Sequence, residues 1–216
     1  MGRHEEALKI LHGGTVIPAI PLVLDENRKF NEAGQRTLIR YYLDAGVGGL
    51  AVAVHTTQFE IRKPEVGLFE PVLRVTKEEM DTYEARTGKT LVRVAGACGE
   101  AEQACAEART AKALGFDAVL LSPGGLAHRT EEELVERTHA VAAEMPVIGF
   151  YLQTACGGRR LSYEYWKRFC GLCPGLVCPV GRSRAGRSDA RSQICRGHGG
   201  HGAAHQQGIY LGISGA

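Results

Sequence analysis

Gly49-Leu50-Ala51-Val52-Ala53-Val54-His55-Thr56-Thr57-Gln58-Phe59-Glu60 is the stretch on which the fold turns. Six small or apolar residues in a row are the pattern of a strand covered on both faces, as in a parallel sheet. The run then switches without a linker to an imidazole, two hydroxyls, an amide and a carboxylate. A buried parallel strand that delivers polar groups at its C-terminal end is how α/β folds build sites. His55, Thr56, Thr57 and Glu60 are therefore candidate site residues.

Upstream, Thr15 to Leu24 is an extended apolar run whose prolines exclude a helix. Asn31 caps a helix with Leu38, Ile39, Tyr42 and Leu43 on one face, and Gly46 closes it. Downstream, Thr76-Lys77-Glu78-Glu79 reads as a capping box that opens a helix. Thr90 to Ala97 is a third strand, followed by an Ala-rich helix from about Glu100 to Leu114. Ala118-Val119-Leu120-Leu121 is a fourth strand that runs into Ser122-Pro123-Gly124-Gly125. A second capping box, Thr130-Glu131-Glu132-Glu133, starts a helix with Leu134, Val135, Thr138, Val141 and Ala142 as its buried stripe. Pro146 to Tyr151 is a fifth strand, Ser162 to Cys170 a short aromatic helix, and Leu176-Val177-Cys178 begins a sixth strand.

Strand starts near 15, 49, 90, 118, 146 and 176 alternate with helices throughout. That alternation predicts right-handed crossovers and a parallel sheet. No Gly-x-Gly-x-x-Gly or Walker loop follows a strand, which favours a (β/α)8 TIM-barrel-type α/β fold over an open nucleotide-binding sheet. The barrel is expected to be incomplete, with about five βα units plus a sixth strand in a domain over 1–178. From Gly181 onward the chain has no Lys, Glu or Phe but is dense in Arg and Gly, without helical or strand periodicity. Residues 179–216 are accordingly read as an irregular, disordered tail, of the composition that an out-of-frame reading of a G/C-rich gene produces.

The formal charge of +2 gives no electrostatic case for nucleic acid or an anionic membrane as partner. No apolar run approaches the roughly 20 residues that span a bilayer, and the first residues lack a signal-peptide core. The expected location is cytoplasmic. Seven cysteines, an odd number without an export signal, argue against a disulfide framework, and Cys98, Cys105 and Cys156 read as reduced, packed thiols.

The chain resembles the dihydrodipicolinate synthase / N-acetylneuraminate lyase family of class I aldolase-type barrels. The resemblance rests on His55-Thr56-Thr57-Gln58-Phe59-Glu60, on Gly149-Phe150-Tyr151-Leu152-Gln153 followed by Gly157-Gly158-Arg159, and on the Leu121-Ser122-Pro123 exit of strand four. It implies a lyase that forms a Schiff base between a lysine and a small 2-oxo acid such as pyruvate. No cofactor or metal is called for, and family members are often tetrameric, so a homo-oligomer is a possible state. By this resemblance Thr56 and Thr57 bind the substrate carboxylate, and Thr57 relays a proton. Tyr151 acts as proton donor, while His55 and Gln153 contact substrate. The residues alone leave simpler readings open: Thr caps for the loop, a structural hydrogen bond for His55, and a packed wedge for Tyr151.

Two departures from the family pattern stand out. Gly124 and Gly125 occupy the region of the usual Tyr after strand four, and Gly175-Leu176-Val177-Cys178 continues as Pro179-Val180 where a lysine is due. A catalytic imine needs a desolvated amine, so the chain is expected to be inactive. Arg129 lies near the usual substrate-binding Arg but reads as a surface residue. Three alternatives compete: a metal-binding protein using the Cys/His cluster from Cys170 to His205, a metal-dependent barrel with His55 and Glu60 as ligands, and a non-catalytic partial barrel that associates with homologues.

Overall fold

The computed structural model describes residues 2–151 and 159–171, together with the backbone of 208–210. Helix α1 (Arg3–Gly13) precedes β1 (Val16–Pro18), α2 (Glu32–Asp44) and β2 (Gly49–Val52). Two 3-10 turns, His55–Thr57 and Phe59–Arg62, lead into α3 (Phe69–Thr87). Then follow β3 (Val92–Ala97), α4 (Ala101–Ala113), β4 (Ala118–Leu121), α5 (Glu131–Ala142), β5 (Val147–Gly149) and α6 (Tyr163–Gly171). The expected sixth strand at 176–178 and the tail from 179 lie outside the described residues, apart from β6 (Gly208–Tyr210), which runs antiparallel to β1.

Strands β2-β3-β4-β5 form a parallel sheet in chain order, and β1 joins β2 through the parallel bridge Ala19↔Ala51. Successive side chains alternate between two apolar layers, as the period of two in a strand requires. Leu50, Val52, Ala95, Val119 and Leu121 pack outward with the helices. Ala51, Val92, Val94, Ala118, Leu120 and Ile148 pack inward, where Leu11 of α1 joins them. A parallel sheet covered on one face by its crossover helices and filled on the other by its own side chains is the wall of a (β/α) barrel.

Most local expectations hold. Asn31 accepts from Gly34 N at 2.8 Å, and Gly46 takes the left-handed conformation (φ 83°) just past the end of α2. Thr130 and Glu133 make the reciprocal capping box that opens α5. Gly149 lets α6 press onto β5, since a Cβ there would meet Phe169 at 2.8 Å and Trp166 at 3.0 Å. Three expectations are corrected. Thr76 is not a cap: its hydroxyl donates to Val72 O inside α3, which starts at Phe69 with Pro71 tolerated in its first turn. The second strand ends at Val52, because Ala53 adopts a left-handed φ of 59° that no ladder accommodates. Against the expectation of no disulfides, Cys170 is disulfide-bonded, whereas Cys98 and Cys105 are free as expected and Cys156 lies outside the described residues.

At the N-terminal end of the strands the fully buried Asp117 gathers three donors. It accepts from Arg3, lies 2.9 Å from His4 Nδ1, and takes the Arg93 backbone N–H at 3.0 Å. Arg3 also reaches Glu84 and the Leu91 carbonyl. This network ties α1 under the sheet, the end where polar residues of such barrels serve stability.

Candidate active site

The C-terminal ends of the strands carry the candidate residues. After Ala53 the chain turns through His55–Thr57, with Thr57 N donating to Val54 O at 3.0 Å and Gln58 N to His55 O at 3.1 Å. Gln58 holds φ at 77°, a second non-glycine residue in the left-handed region within this turn. Two such residues so close together make the turn a place of stored strain, a recurring property of functional loops.

The structure divides the threonine pair. Thr57 is fully buried, and its hydroxyl donates to Ile20 O at 2.8 Å, pinning the turn to the segment after β1. Its proton is thereby committed. Thr56 is half-buried, yet its Oγ1 is shielded from solvent and has no hydrogen-bond partner. Leaving a buried hydroxyl unpaired costs about 1–3 kcal/mol, so this group stands ready for an acceptor. His55 is exposed, its ring edge-on to Phe59 at 6.0 Å. Tyr151, just beyond β5, is 44% exposed. Three strand spacings, roughly 14 Å along the sheet, separate β5 from β2, so Tyr151 and Thr56 can share a ligand only across the mouth of the curved sheet. Gln153 lies outside the described residues. Arg129 is a surface residue, as expected, paired with Glu100 at 3.2 Å and Glu133 at 2.8 Å.

Two buried guanidinium groups that the sequence reading passed over line the same rim. Arg62 donates from Nη2 to Ala53 O at 2.8 Å and to Gly96 O at 3.0 Å. Arg137 donates to Gly99 O at 2.8 Å and Ser122 O at 3.0 Å. Burial holds the Arg137 guanidinium below its ordinary pKa. A signal for these groups exists in the helices. Glu107 falls on the same stripe of α4 as buried Ala104, Ala108 and Ala111, and Arg137 falls on the stripe of α5 with Leu134 and Val141. A charge in phase with an apolar stripe demands a buried partner.

No lysine reaches the interior. Lys9, Lys29, Lys63, Lys89, Lys112 and Lys167 are exposed, and Lys77 is half-buried beside Asp81 on α3. These are all the lysines of the chain. Burial pushes the Cys98 thiol up, so it is a poor nucleophile despite its place beyond β3. No group of three or more His, Cys, Asp or Glu able to hold a metal ion occurs among the described residues. The third ligand required beside His55 and Glu60 is therefore not found there, and His198, His201 and His205 lie outside them. Among the described residues no helix is long and apolar enough to cross a membrane.

Comparison with known proteins tests the motif reading. An uncharacterized DapA-like lyase of Rhizobium meliloti is 31% identical over 128 residues, which are 59% of this chain and 40% of that protein. The chain is similar to the dihydrodipicolinate synthase / N-acetylneuraminate lyase family. Solved structures agree. A catalytic-lysine mutant of the sialic acid aldolase of Ruminococcus gnavus matches with a TM-score of 0.64 at 20% identity, over 80% of this chain and 54% of that one. The dihydrodipicolinate synthase of Oceanobacillus iheyensis matches with a TM-score of 0.64 at 17% identity, over 82% and 55%. At such identities the likeness carries the fold, a partial (β/α) barrel. The chain spans about half the length of these family members. No family model matches the chain.

Proposed function

We propose that the C-terminal rim of this barrel binds the carboxylate of a small 2-oxo acid of the pyruvate type, on a lyase framework to which this chain contributes no Schiff-base amine. The observation that carries the reading is the buried, unpartnered hydroxyl of Thr56 at the end of β2. A neutral donor held dry at a strand end favours an anionic oxygen, because pairing removes the cost of the orphaned hydroxyl. Thr56 is the donor in this account. A relay through Thr57 would require its hydroxyl to release Ile20 O, so its part is to fix the turn. Tyr151, exposed at the β5 exit, is the proton donor, and His55 and Gln153 are further contacts to the substrate.

The placement of every lysine outside the barrel interior supports a chain that is inactive as a Schiff-base lyase by itself. A catalytic lysine belongs to the R. gnavus aldolase. In this chain an amine for the reaction would have to come from elsewhere. The test is pyruvate titration of the protein and of Thr56→Val, followed by NMR. Binding that is lost in the variant without loss of stability supports the reading. Equal binding by both, or none by the parent, overturns it.

A second reading has its own observation. The chain spans only about half the length of the barrels it matches, and a barrel wall left unclosed would offer a strand edge as a template for association. A non-catalytic partial barrel pairing with a homologous chain would elute as an oligomer in size-exclusion chromatography, whereas a monomer would remove this reading.

A further inference from the structure

Thr56 is placed by a tie that closes the loop on itself. The β2–α3 connection leaves the sheet at Ala53, whose left-handed backbone turns its carbonyl against β3. The approach is so close that a Cβ on Gly96 would lie 2.1 Å from Ala53 O, which only glycine permits. Arg62, nine residues further on, reaches back and donates to Ala53 O and Gly96 O from a single nitrogen. Its Nε donates to Glu107 Oε1 at 2.9 Å, and Glu107 Oε2 accepts the Cys98 N–H at 3.1 Å. The Phe69 ring lies 4.9 Å from the guanidinium carbon on one side, and Phe59 lies at 5.7 Å. The side chains of Arg62 and Glu107 are only 9% and 8% exposed.

We propose that Arg62, anchored by Glu107 of α4, is the positioning residue of the hydroxyl turn and sets where Thr56 presents its proton. This rests on the reading of Thr56 as the carboxylate donor. The tie joins the ends of a loop that contains His55, Thr56 and Thr57. Thr57 pins its middle to Ile20, so Thr56 has little freedom to wander. A left-handed alanine is disfavoured by roughly 1–2 kcal/mol, and such a conformation persists only where surroundings over-determine it. A planar fork can serve two carbonyls and a carboxylate at once, whereas the rotatable ammonium of lysine has no such fixed geometry.

The experiment compares Arg62→Lys and Glu107→Gln with Asp117→Asn, a change at the opposite end of the strands. Amide hydrogen exchange is read at Thr57 and Gln58, which donate within the turn, and at Val92 and Val119, which donate within the sheet region. Arg62→Lys is expected to lower protection at Thr57 and Gln58 by about tenfold while Val92 and Val119 keep theirs, with pyruvate affinity falling by about tenfold or more. Glu107→Gln does the same to a smaller extent, and Asp117→Asn spares the turn selectively. Unchanged turn protection in Arg62→Lys, or protection lost equally at all four amides, overturns the proposal. Were the parent protein to bind no pyruvate, the substrate reading would fall, and the exchange pattern would still decide whether Arg62 holds the turn.

Discussion

The two ends of the strands put their polar groups to different uses. At the N-terminal end Asp117 spends both oxygens on Arg3, His4 and the Arg93 amide. At the C-terminal end a threonine hydroxyl is buried with no partner, and Ala53 and Gln58 sit in left-handed backbone. Helix α1 is held by the first arrangement, in which both oxygens of Asp117 are taken up, while Glu6 Oε2 and Arg93 Nε are buried nearby without a partner. The second keeps a donor unspent and supports it with Arg62 and Glu107. The Asp117 ties thus lie below the sheet and the proposed ligand contacts above it, the division that barrel enzymes show.

Substitutions at each end sharpen that contrast. Asp117→Ala strips a buried acceptor from two side chains and a backbone N–H, and is expected to cost about 3 kcal/mol in urea-induced unfolding. A loss under about 1 kcal/mol would mean that the lower network is ornamental. Gly96→Ala drives a methyl into the Ala53 carbonyl, and a cost of about 2 kcal/mol is expected, with pyruvate binding lost as the rim shifts. Thr57→Val removes a buried hydrogen bond to Ile20 and should lower stability by about 1 kcal/mol. The neighbouring Thr56→Val removes a hydroxyl that bonds to nothing, so its stability is expected to equal the parent's or exceed it slightly. The difference between these adjacent threonines is the most sensitive probe of which one is structural. Gln58→Gly relieves a left-handed residue that is exposed and should add about 1 kcal/mol, a gain where the other rim substitutions cost stability or leave it nearly unchanged.

Much of the framework is legible in the chain. Ala118–Leu121 is a four-residue apolar run between a glycine turn and Ser122, and it forms β4 with those bounds. The Thr130 box opens α5 because Glu133 lies three residues on and Pro146 bounds the segment beyond. The same letters at Thr76 mislead, because a Thr-x-x-Glu spacing also arises inside a helix, where the hydroxyl bonds back four residues. The end of β2 is hidden for another reason: Ala53 reads as strand by hydropathy, while its conformation is set by Gly96 and Arg62 across the loop.

The polar cluster at the end of β2 is legible in the letters, but the different hydrogen bonding of its members is not. Thr56 and Thr57 are identical letters in adjacent positions, and what separates them is Ile20, far away in the chain. Arg62 and Glu107 likewise lie far apart in the chain, and only the fold makes them a pair. The absence of a lysine after Leu176-Val177-Cys178 is plain from the letters, and the positions of the lysines the chain does have agree with it.

Borohydride reduction of the full chain in the presence of pyruvate, followed by intact-protein mass spectrometry, bears most directly on a 2-oxo-acid rim without its own amine. The account predicts no gain in mass beyond the untreated protein. A gain of one reduced pyruvate, mapped by peptide analysis to any lysine of this chain, would contradict it.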